Sequence, residues 1–186
     1  MPRRFGLLVF DWDGTLMDSA GAIIASIQAS CRDLGLPVPE RERASHVIGL
    51  GLKDALAYAV PELPPSDYGR LAERYRFHYL ARDPDLELFP GMLEMLAGLK
   101  QKGYLLAVAT GKTRIGLDRV LEATQLKRYF DSSRCADETH SKPHPAMLQE
   151  LMQELLIEAE ATLMIGDTAH DLQMALNAGV PALAVS

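Results

Sequence analysis

Four short runs of uninterrupted apolar residues recur along the chain and mark its candidate strands. They are residues 7–10, 105–109, 163–165 and 182–185. Continuous apolarity over so few residues is typical of strands buried on both faces of a parallel sheet, although a buried helix segment gives the same pattern. A further strand is weakly indicated near residues 134–136. The pattern therefore predicts a parallel sheet.

Amphipathic stretches separate these runs. They cover residues 91–102, 114–123, 145–156 and 169–178, and Gly103 and Gly179 follow two of them as stop signals. Alternation of strand and helix is typical of an α/β doubly wound core with right-handed crossovers. No helix follows the run 182–185, so either earlier helices cover that strand or part of the core is absent from this chain.

Residues 15–87 interrupt this alternation. Apolar residues recur at helical spacing between Ile23 and Leu34, then in 50–60 and 67–81, with prolines between these segments. This region contains no convincing strand. We therefore predict an all-helical insertion over 15–87, with residues 1–14 and 88–186 forming the core.

Composition and charge exclude several classes of protein. The chain has 186 residues, of which 48% are hydrophobic and 24% charged, as in an ordinary globular protein. Its net charge of −6 argues against nucleic acid or anionic lipid as a partner. The first apolar run is too short for a secretory signal or a membrane span, and Cys31 and Cys135 lack metal-type spacing. A cytoplasmic location is therefore expected.

The first apolar run ends in the segment Asp11-Trp12-Asp13-Gly14-Thr15. Side chains two apart in an extended segment face the same way, so Asp11 and Asp13 can address one group of atoms. Gly14 permits a turn, and the amides of Trp12 and Asp13 can point at an anion. Two carboxylates this close repel by about 4 kcal/mol at 4 Å and an effective dielectric of about 20, so the site requires a cation.

Other polar residues follow the later strands. Asp167 and Asp171 follow the third run, Thr110 and Gly111 end the second, and Lys142 lies between them. Because open α/β sheets bind ligands at the carboxyl ends of their strands, these residues are expected to converge with the first acidic pair. Carboxylates with open water positions are the ligands that Mg²⁺ prefers.

In this order, the segments Asp11-x-Asp13-Gly14-Thr15, Thr110, Lys142-Pro143 and Gly166-Asp167-Thr168-x-x-Asp171 resemble the motifs of the haloacid dehalogenase superfamily. The resemblance extends over residues 5–186 and is strongest to its phosphoglycolate phosphatase-like branch. It implies a Rossmann-like catalytic core, and it implies that the helical insertion is a cap.

The resemblance also implies roles for individual residues. Asp11 would be the nucleophile that forms an aspartyl phosphate, and Asp13 would protonate the leaving oxygen and then accept a proton from water. Lys142 would balance charge on the nucleophile and the phosphoryl group. An acid at position 13 favours phosphate chemistry over dehalogenation, because attack on carbon leaves no alkoxide to protonate.

The remaining implied roles concern the metal and the phosphoryl oxygens. Mg²⁺ would be held by Asp11, the backbone carbonyl of Asp13, and Asp167, with Asp171 acting mostly through water or hydrogen bonds. The phosphoryl oxygens would be bound by Thr110, the Gly111 amide and Lys142, together with the strand-end amide of Trp12.

Three functions compete on these observations. The first is an Mg²⁺-dependent phosphatase acting on a small phosphorylated metabolite, as a monomer or homodimer. The second is a phosphomutase or phosphotransferase in which a sugar hydroxyl replaces water, and the third is a non-catalytic binding protein on the same scaffold. A nucleotide-binding P-loop ending at Gly111-Lys112-Thr113 is excluded, because Leu106 stands where that motif requires glycine. His140 and His144 are interpreted as loop residues.

Overall fold

A five-stranded parallel sheet lies at the centre of the molecule. The structure, a computed structural model, describes residues 4–186. The strands follow the order β3-β2-β1-β4-β5 across the sheet, and each neighbouring pair is parallel. Their bounds are β1 Leu7–Phe10, β2 Leu105–Thr110, β3 Ser132–Cys135, β4 Thr162–Gly166 and β5 Ala182–Ala184. The prediction of a doubly wound parallel sheet is confirmed.

Eight α-helices occur within residues 4–186. They are α1 Ala20–Asp33, α2 Arg41–His46, α3 Leu52–Ala59, α4 Tyr68–Arg82, α5 Met92–Gln101, α6 Arg114–Ala123, α7 Ala146–Leu155 and α8 Ala169–Ala178. Short 3-10 turns occupy Pro65–Asp67, Asp83–Asp85, Leu126–Tyr129 and Ala159–Ala161. No helix in this part of the chain combines the length and the apolarity that a membrane span requires.

Helices cover both faces of the sheet, and β1 shows why its sequence is continuously apolar. Leu8 and Phe10 belong to a core cluster that includes residues of α5 and α6, whereas Leu7 and Val9 belong to a second cluster that includes residues of α7 and α8. All four side chains are therefore buried. A strand buried on both faces needs apolar residues at every position.

Three details differ from the sequence interpretation. The weakly indicated strand is β3, which begins two residues before the expected segment 134–136. The helix α2 was not predicted, because in its sequence RERASH only Ala44 is buried and no apolar stripe forms. The strand β5 is exposed along its whole length, with Leu183 49% exposed, so the helices that pack on the sheet do not cover it.

The four helices α1–α4 form a layer with its own hydrophobic core, here called the cap. Ile27, Leu56 and Leu71 lie in this second core, apart from the sheet. Two connecting segments join the cap to the sheet, and they are paired with each other. The Asp18 amide donates to the Glu87 carbonyl at 2.9 Å, and the Phe89 amide donates to the Leu16 carbonyl at 3.0 Å.

Candidate active site

The site begins with Asp11, which immediately follows the central strand β1. Its amide donates to the Ile165 carbonyl of β4 at 2.9 Å, so the strand pairing continues to this residue. The side chain is completely buried. Because β1 lies between β2 and β4, the segments that follow these three strands emerge side by side. This arrangement is why residues distant in sequence meet around Asp11.

A buried cluster of three charges surrounds Asp11. Lys142 Nζ lies 2.7 Å from Asp11 Oδ1 and 2.6 Å from Asp171 Oδ1, and none of the three side chains is exposed. Lys142 reaches this position from the loop between β3 and α7. The expected convergence of Asp11, Lys142 and Asp171 is therefore observed.

Burial and neighbouring charges shift the pKa values of this cluster in opposite directions. Burial raises the pKa of the Asp11 carboxyl, the Lys142 charge lowers it and Asp171 raises it again, with a net upward shift. Burial alone would lower the pKa of Lys142, but Asp11 and Asp171 outweigh burial and raise it. Lys142 thus retains its proton. Because the pKa of Asp11 stays raised even beside Lys142, a second positive charge next to this carboxyl would favour its ionised form.

The donor set fits a hard divalent cation. Oxygens of Asp11, Asp167 and Asp171 all lie within 4.8 Å of one another. Within residues 4–186, neither the buried Oδ2 of Asp11 nor the carbonyl of Asp13 accepts a hydrogen bond. Ligand sets made only of oxygen are typical of Mg²⁺, Ca²⁺ and Mn²⁺ rather than of zinc.

Asp171 is held by contacts that leave it little freedom as a direct metal ligand. Its Oδ2 accepts from the Thr168 amide at 3.1 Å and from the Thr168 hydroxyl at 2.6 Å, forming a capping box at the start of α8. Its Oδ1 faces Lys142. Asp171 therefore fixes both the helix and the lysine.

Asp167 is positioned by the segment that follows β1. The Thr15 hydroxyl donates to Asp167 Oδ1 at 2.8 Å. Gly14 has φ +87°, and a Cβ at this position would lie 2.2 Å from Asp167 Oδ2. Only glycine both adopts this backbone and leaves space for the carboxylate. The first segment thus brings Asp11 and Asp167 to one place.

Asp13 is held through one of its two oxygens. The Ser19 hydroxyl donates to Asp13 Oδ1 at 2.6 Å, and Lys112 Nζ lies 2.9 Å from the same oxygen. Lys112 also donates to the Tyr79 hydroxyl at 2.9 Å, which connects helix α4 of the cap to this acid. Asp13 lines a cavity of about 460 Å³ between the cap and the sheet.

Sequence reasoning missed these three supporting residues. The available signal was the place of Lys112, directly after Thr110-Gly111 at the end of a strand. Ser19 and Tyr79 carried no signal of their own, because a serine directly before a helix and a tyrosine within one are ordinary features of helical sequences. Their role depends on how the cap folds back over the sheet.

Backbone and hydroxyl donors lie at the same edge. In the part of the chain that the structure describes, the amides of Trp12, Asp13 and Gly111 donate no hydrogen bond. Thr110 is fully buried, and its hydroxyl oxygen accepts from the Lys112 amide at 3.2 Å. The Trp12 ring lies in the core, with its centroid 6.5 Å from that of Phe130. Trp12 therefore offers only its backbone to the site.

The loop between α2 and α3 closes over the site. A Cβ on Gly111 would lie 2.3 Å from the Leu50 carbonyl oxygen and 2.6 Å from the Gly49 carbonyl oxygen. The Gly51 amide donates to the Ser141 hydroxyl at 2.8 Å, on the loop that carries Lys142. The turn Gly49-x-Gly51 of the insertion therefore contacts the core beside two expected site residues, Gly111 and Lys142.

The two loop histidines take no part in this cluster. The rings of His140 and His144 lie 4.2 Å apart, and His144 Nδ1 accepts from the Ala146 amide. Among the described residues, the only group of three or more His, Cys or acidic residues arranged to hold a metal is the aspartate cluster. Their interpretation as loop residues agrees with this geometry.

Comparison with known proteins agrees with this geometry. Residues 8–185 match the family model described as haloacid dehalogenase-like hydrolase. "Probable phosphatase IndB" of Dickeya dadantii is 39% identical over 97% of this chain and 80% of its own length. "Phosphoglycolate phosphatase" of Agrobacterium fabrum is 34% identical over the same shares.

A solved structure supports the fold. A haloacid dehalogenase-like hydrolase from Bacteroides fragilis superposes with a TM-score of 0.88, at 24% identity, over 98% of this chain and 88% of that one. The resemblance inferred from the motifs is confirmed. The chain therefore belongs to the haloacid dehalogenase-like hydrolases, and the Dickeya and Agrobacterium relatives are named phosphatases.

Proposed function

We propose that this protein hydrolyses a small phosphomonoester through a covalent aspartyl phosphate on Asp11. The observation that carries the proposal is the buried Asp11 carboxylate, which faces Lys142 through Oδ1 at 2.7 Å while its Oδ2 accepts no hydrogen bond from residues 4–186. A carboxylate oxygen without a partner at the end of a central strand is available for attack on phosphorus.

The reaction has two displacements. Asp11 attacks phosphorus, the bond from phosphorus to the ester oxygen breaks, and Asp13 transfers a proton to the departing oxygen. Water then attacks the same phosphorus, Asp13 takes back a proton, and the bond to Asp11 breaks. Inorganic phosphate leaves and both aspartates return to their starting states.

Lys142 and the strand-end donors stabilise the charge that develops. Lys142 balances the Asp11 carboxylate and the phosphoryl group. The Thr110 hydroxyl and the amides of Trp12 and Gly111 bind the phosphoryl oxygens. Fixed donors of this kind supply most of the catalysis in phosphoryl transfer, since the reaction depends on positioning and charge neutralisation.

Asp11, the Asp13 carbonyl and Asp167 would hold a divalent cation, and we propose Mg²⁺. When bound, the ion neutralises charge on the phosphoryl oxygens and orients them for attack. Asp171 acts by holding Lys142 and the first turn of α8. The mutual approach of the three carboxylates within 4.8 Å supports this assignment.

We further propose that the cap and its connectors make up a separate domain over residues 15–87, and that residues 1–14 and 88–186 form the catalytic core. The cap closes over the site through Gly49 and Leu50 and excludes bulk water from the covalent intermediate. The name of the Agrobacterium relative suggests phosphoglycolate as a reference substrate. A cytoplasmic location, a monomeric or homodimeric state and the lack of a nucleic-acid partner stay predictions from the sequence and its resemblance.

The test is phosphate release from a phosphomonoester with Mg²⁺ by wild type and by Asp11→Asn. The variant should lose activity by at least a thousandfold and keep its circular dichroism spectrum. Asp118→Asn, on the exposed Arg114 pair of α6, is the matched control and should retain activity. Full activity of Asp11→Asn would contradict the nucleophile assignment.

Product analysis separates the competing functions. With a sugar phosphate as substrate, a phosphatase releases inorganic phosphate, which phosphorus NMR detects directly. A phosphomutase would instead yield an isomeric sugar phosphate with almost no free phosphate. Magnesium-dependent stabilisation without any turnover would favour the non-catalytic binding protein.

A further inference from the structure

The cavity beside Asp13 has properties that bear on the substrate. It has a volume of about 460 Å³ and extends from Asp13 and Gly111 between helices α4 and α6. This volume lies in the range of pockets that hold drug-sized ligands. A two-carbon leaving group such as glycolate would occupy only a small part of it. The space therefore indicates a larger leaving group.

The walls of this cavity are mostly aliphatic. Side chains from the cap and from the start of α6 line it, and the exposure of Leu80 on α4 and Ile115 on α6 places its opening between these two helices. The aliphatic side chains are Ile23, Ile27, Leu52, Leu56, Leu80 and Ile115. Leu80 is 45% exposed and Ile115 is 81% exposed, although each is a large apolar residue. A ligand that covers them would remove apolar surface from water.

An aromatic pair completes one wall. The rings of Tyr75 and Tyr79 stack with centroids 5.7 Å apart and an interplanar angle of 22°. Both line the cavity, and both are contributed by α4. The hydroxyl of Tyr79 already accepts a hydrogen bond from Lys112, so this side chain presents mainly its ring.

The positive charges around the cavity are largely committed to protein acids. Lys112 lies 2.9 Å from Asp13 Oδ1, and Arg119 donates to both oxygens of Asp83 at 3.0 and 3.1 Å. Arg76 lines the cavity and forms no ion pair within residues 4–186, but it is exposed at the opening. A second anionic group on the leaving group would therefore meet no uncommitted cation deep in the cavity among the residues that the structure describes.

We propose that the leaving group of the natural substrate is a mostly apolar alcohol. It extends from Asp13 along the aliphatic wall to the opening between Leu80 and Ile115. This inference rests on the proposed function, because Asp13 must face the leaving oxygen. It assigns the substrate to alkyl or aryl phosphomonoesters rather than to compact dianionic ones such as phosphoglycolate.

A homologous series of substrates tests the proposal. We would measure kcat/KM of the full chain with Mg²⁺ for ethyl, butyl and hexyl phosphate and for 2-phosphoglycolate. The three alkyl leaving groups have similar basicity, so differences in kcat/KM among them report binding of the alkyl group to the cavity. We expect kcat/KM to rise about fourfold for each buried methylene, which corresponds to about 0.8 kcal/mol, and hexyl phosphate to exceed 2-phosphoglycolate.

A charged residue introduced at the opening of the cavity tests whether the leaving group binds there. Ile115→Glu should reduce the preference for hexyl over ethyl phosphate by about fivefold or more, because a carboxylate replaces an apolar side chain at the opening. Leu176→Glu is the matched control, because Leu176 is 72% exposed on α8 and does not line this cavity. That variant should retain the wild-type preference.

A binding measurement separates this inference from the proposed catalysis. Hexylphosphonate and ethylphosphonate cannot be hydrolysed, and calorimetry with Mg²⁺ gives their affinities without turnover. Tighter binding of hexylphosphonate in wild type, reduced in Ile115→Glu, supports the cavity even if no ester is hydrolysed. Equal affinities, a flat alkyl series or a preference for 2-phosphoglycolate would overturn the inference and leave the phosphatase assignment intact.

Discussion

Lys142 Nζ lies 2.7 Å from Asp11 Oδ1, and neither side chain is exposed to solvent. The same ammonium lies 2.6 Å from Asp171 Oδ1. Each of these ionised groups is stabilised by the others, because burying an ionised group without a partner costs several kcal/mol of folding free energy. The residue expected to balance charge on the nucleophile therefore also contributes to the stability of the fold.

Lys142→Met should lower the free energy of unfolding by about 3–5 kcal/mol, because it leaves two buried carboxylates without their cation. Urea unfolding measures the change. Lys100→Met is the control: Lys100 pairs with Asp131 at 2.7 Å with its side chain 29% exposed, and pairs of this kind contribute about 0–1 kcal/mol. Equal decreases in the free energy of unfolding for the two substitutions would show that the buried ion pair stabilises the fold no more than the exposed one.

Gly111→Ala should weaken closure of the cap. The new Cβ would lie 2.3 Å from the Leu50 carbonyl oxygen, which is backbone and can move only with its loop. We expect kcat/KM to fall by roughly tenfold or more, while the sheet retains its circular dichroism signal. Gly98→Ala is the control, since apart from its neighbours along the helix no atom of residues 4–186 lies close to a Cβ there, the nearest being more than 4 Å away. That variant should gain about 0.5–1 kcal/mol in helix α5 and keep full activity.

Mg²⁺ should stabilise the wild-type protein against thermal unfolding. A ligand at a hundred times its Kd adds about 2.7 kcal/mol, and chelation with EDTA should remove this gain. Asp167→Asn is nearly isosteric and keeps an oxygen for the Thr15 hydroxyl, but it removes a charge from the aspartate cluster. Its melting temperature should respond to Mg²⁺ much less than that of wild type. An undiminished response would place the cation elsewhere.

Ser19→Ala should impair proton donation by Asp13 more than attack by Asp11. The Ser19 hydroxyl donates to Asp13 Oδ1 at 2.6 Å and helps to orient the acid. Hydrolysis of an alkyl phosphate, whose leaving group needs a proton, should slow by roughly tenfold. Hydrolysis of p-nitrophenyl phosphate, whose leaving group needs no proton, should slow far less.

Ser26→Ala is the matched control for this prediction. Ser26 is also a buried serine at the cap, but its hydroxyl donates to the Ala22 carbonyl within α1 at 2.6 Å. The Ser26→Ala variant should hydrolyse both substrates at the wild-type rate. Equal slowing of the two substrates by Ser19→Ala would mean that Ser19 acts on the fold and not on the acid.

The positions of β1, β2 and β4 could be predicted because burial on both faces makes these strands apolar at nearly every residue. Leu7 and Val9 face one core, Leu8 and Phe10 the other, so β1 has no polar position. Once the sheet was predicted, the location of the site could be predicted too, since parallel strands present their carboxyl ends at one edge. Asp11, Asp167, Asp171 and Lys142 could thus be assembled from sequence alone.

Contacts between the cap and the sheet could not be predicted in this way. The approach of Gly49 to Gly111 and the bond from Lys112 to Tyr79 join segments with no shared periodicity. Helix α2 was missed for a related reason, because its charged sequence carries no apolar stripe. Local pattern determines elements and their faces, whereas docking of one layer on another depends on shape in three dimensions.

The paired connectors between the two layers have a structural consequence. The Asp18 amide is bonded to the Glu87 carbonyl and the Phe89 amide to the Leu16 carbonyl, so the two connectors form a single hydrogen-bonded ribbon. The chain passes through this ribbon both on entering and on leaving helices α1–α4. The ribbon begins only a few residues after Asp11 and Asp13. The same short stretch of backbone therefore carries the acid and anchors the helical layer to the sheet.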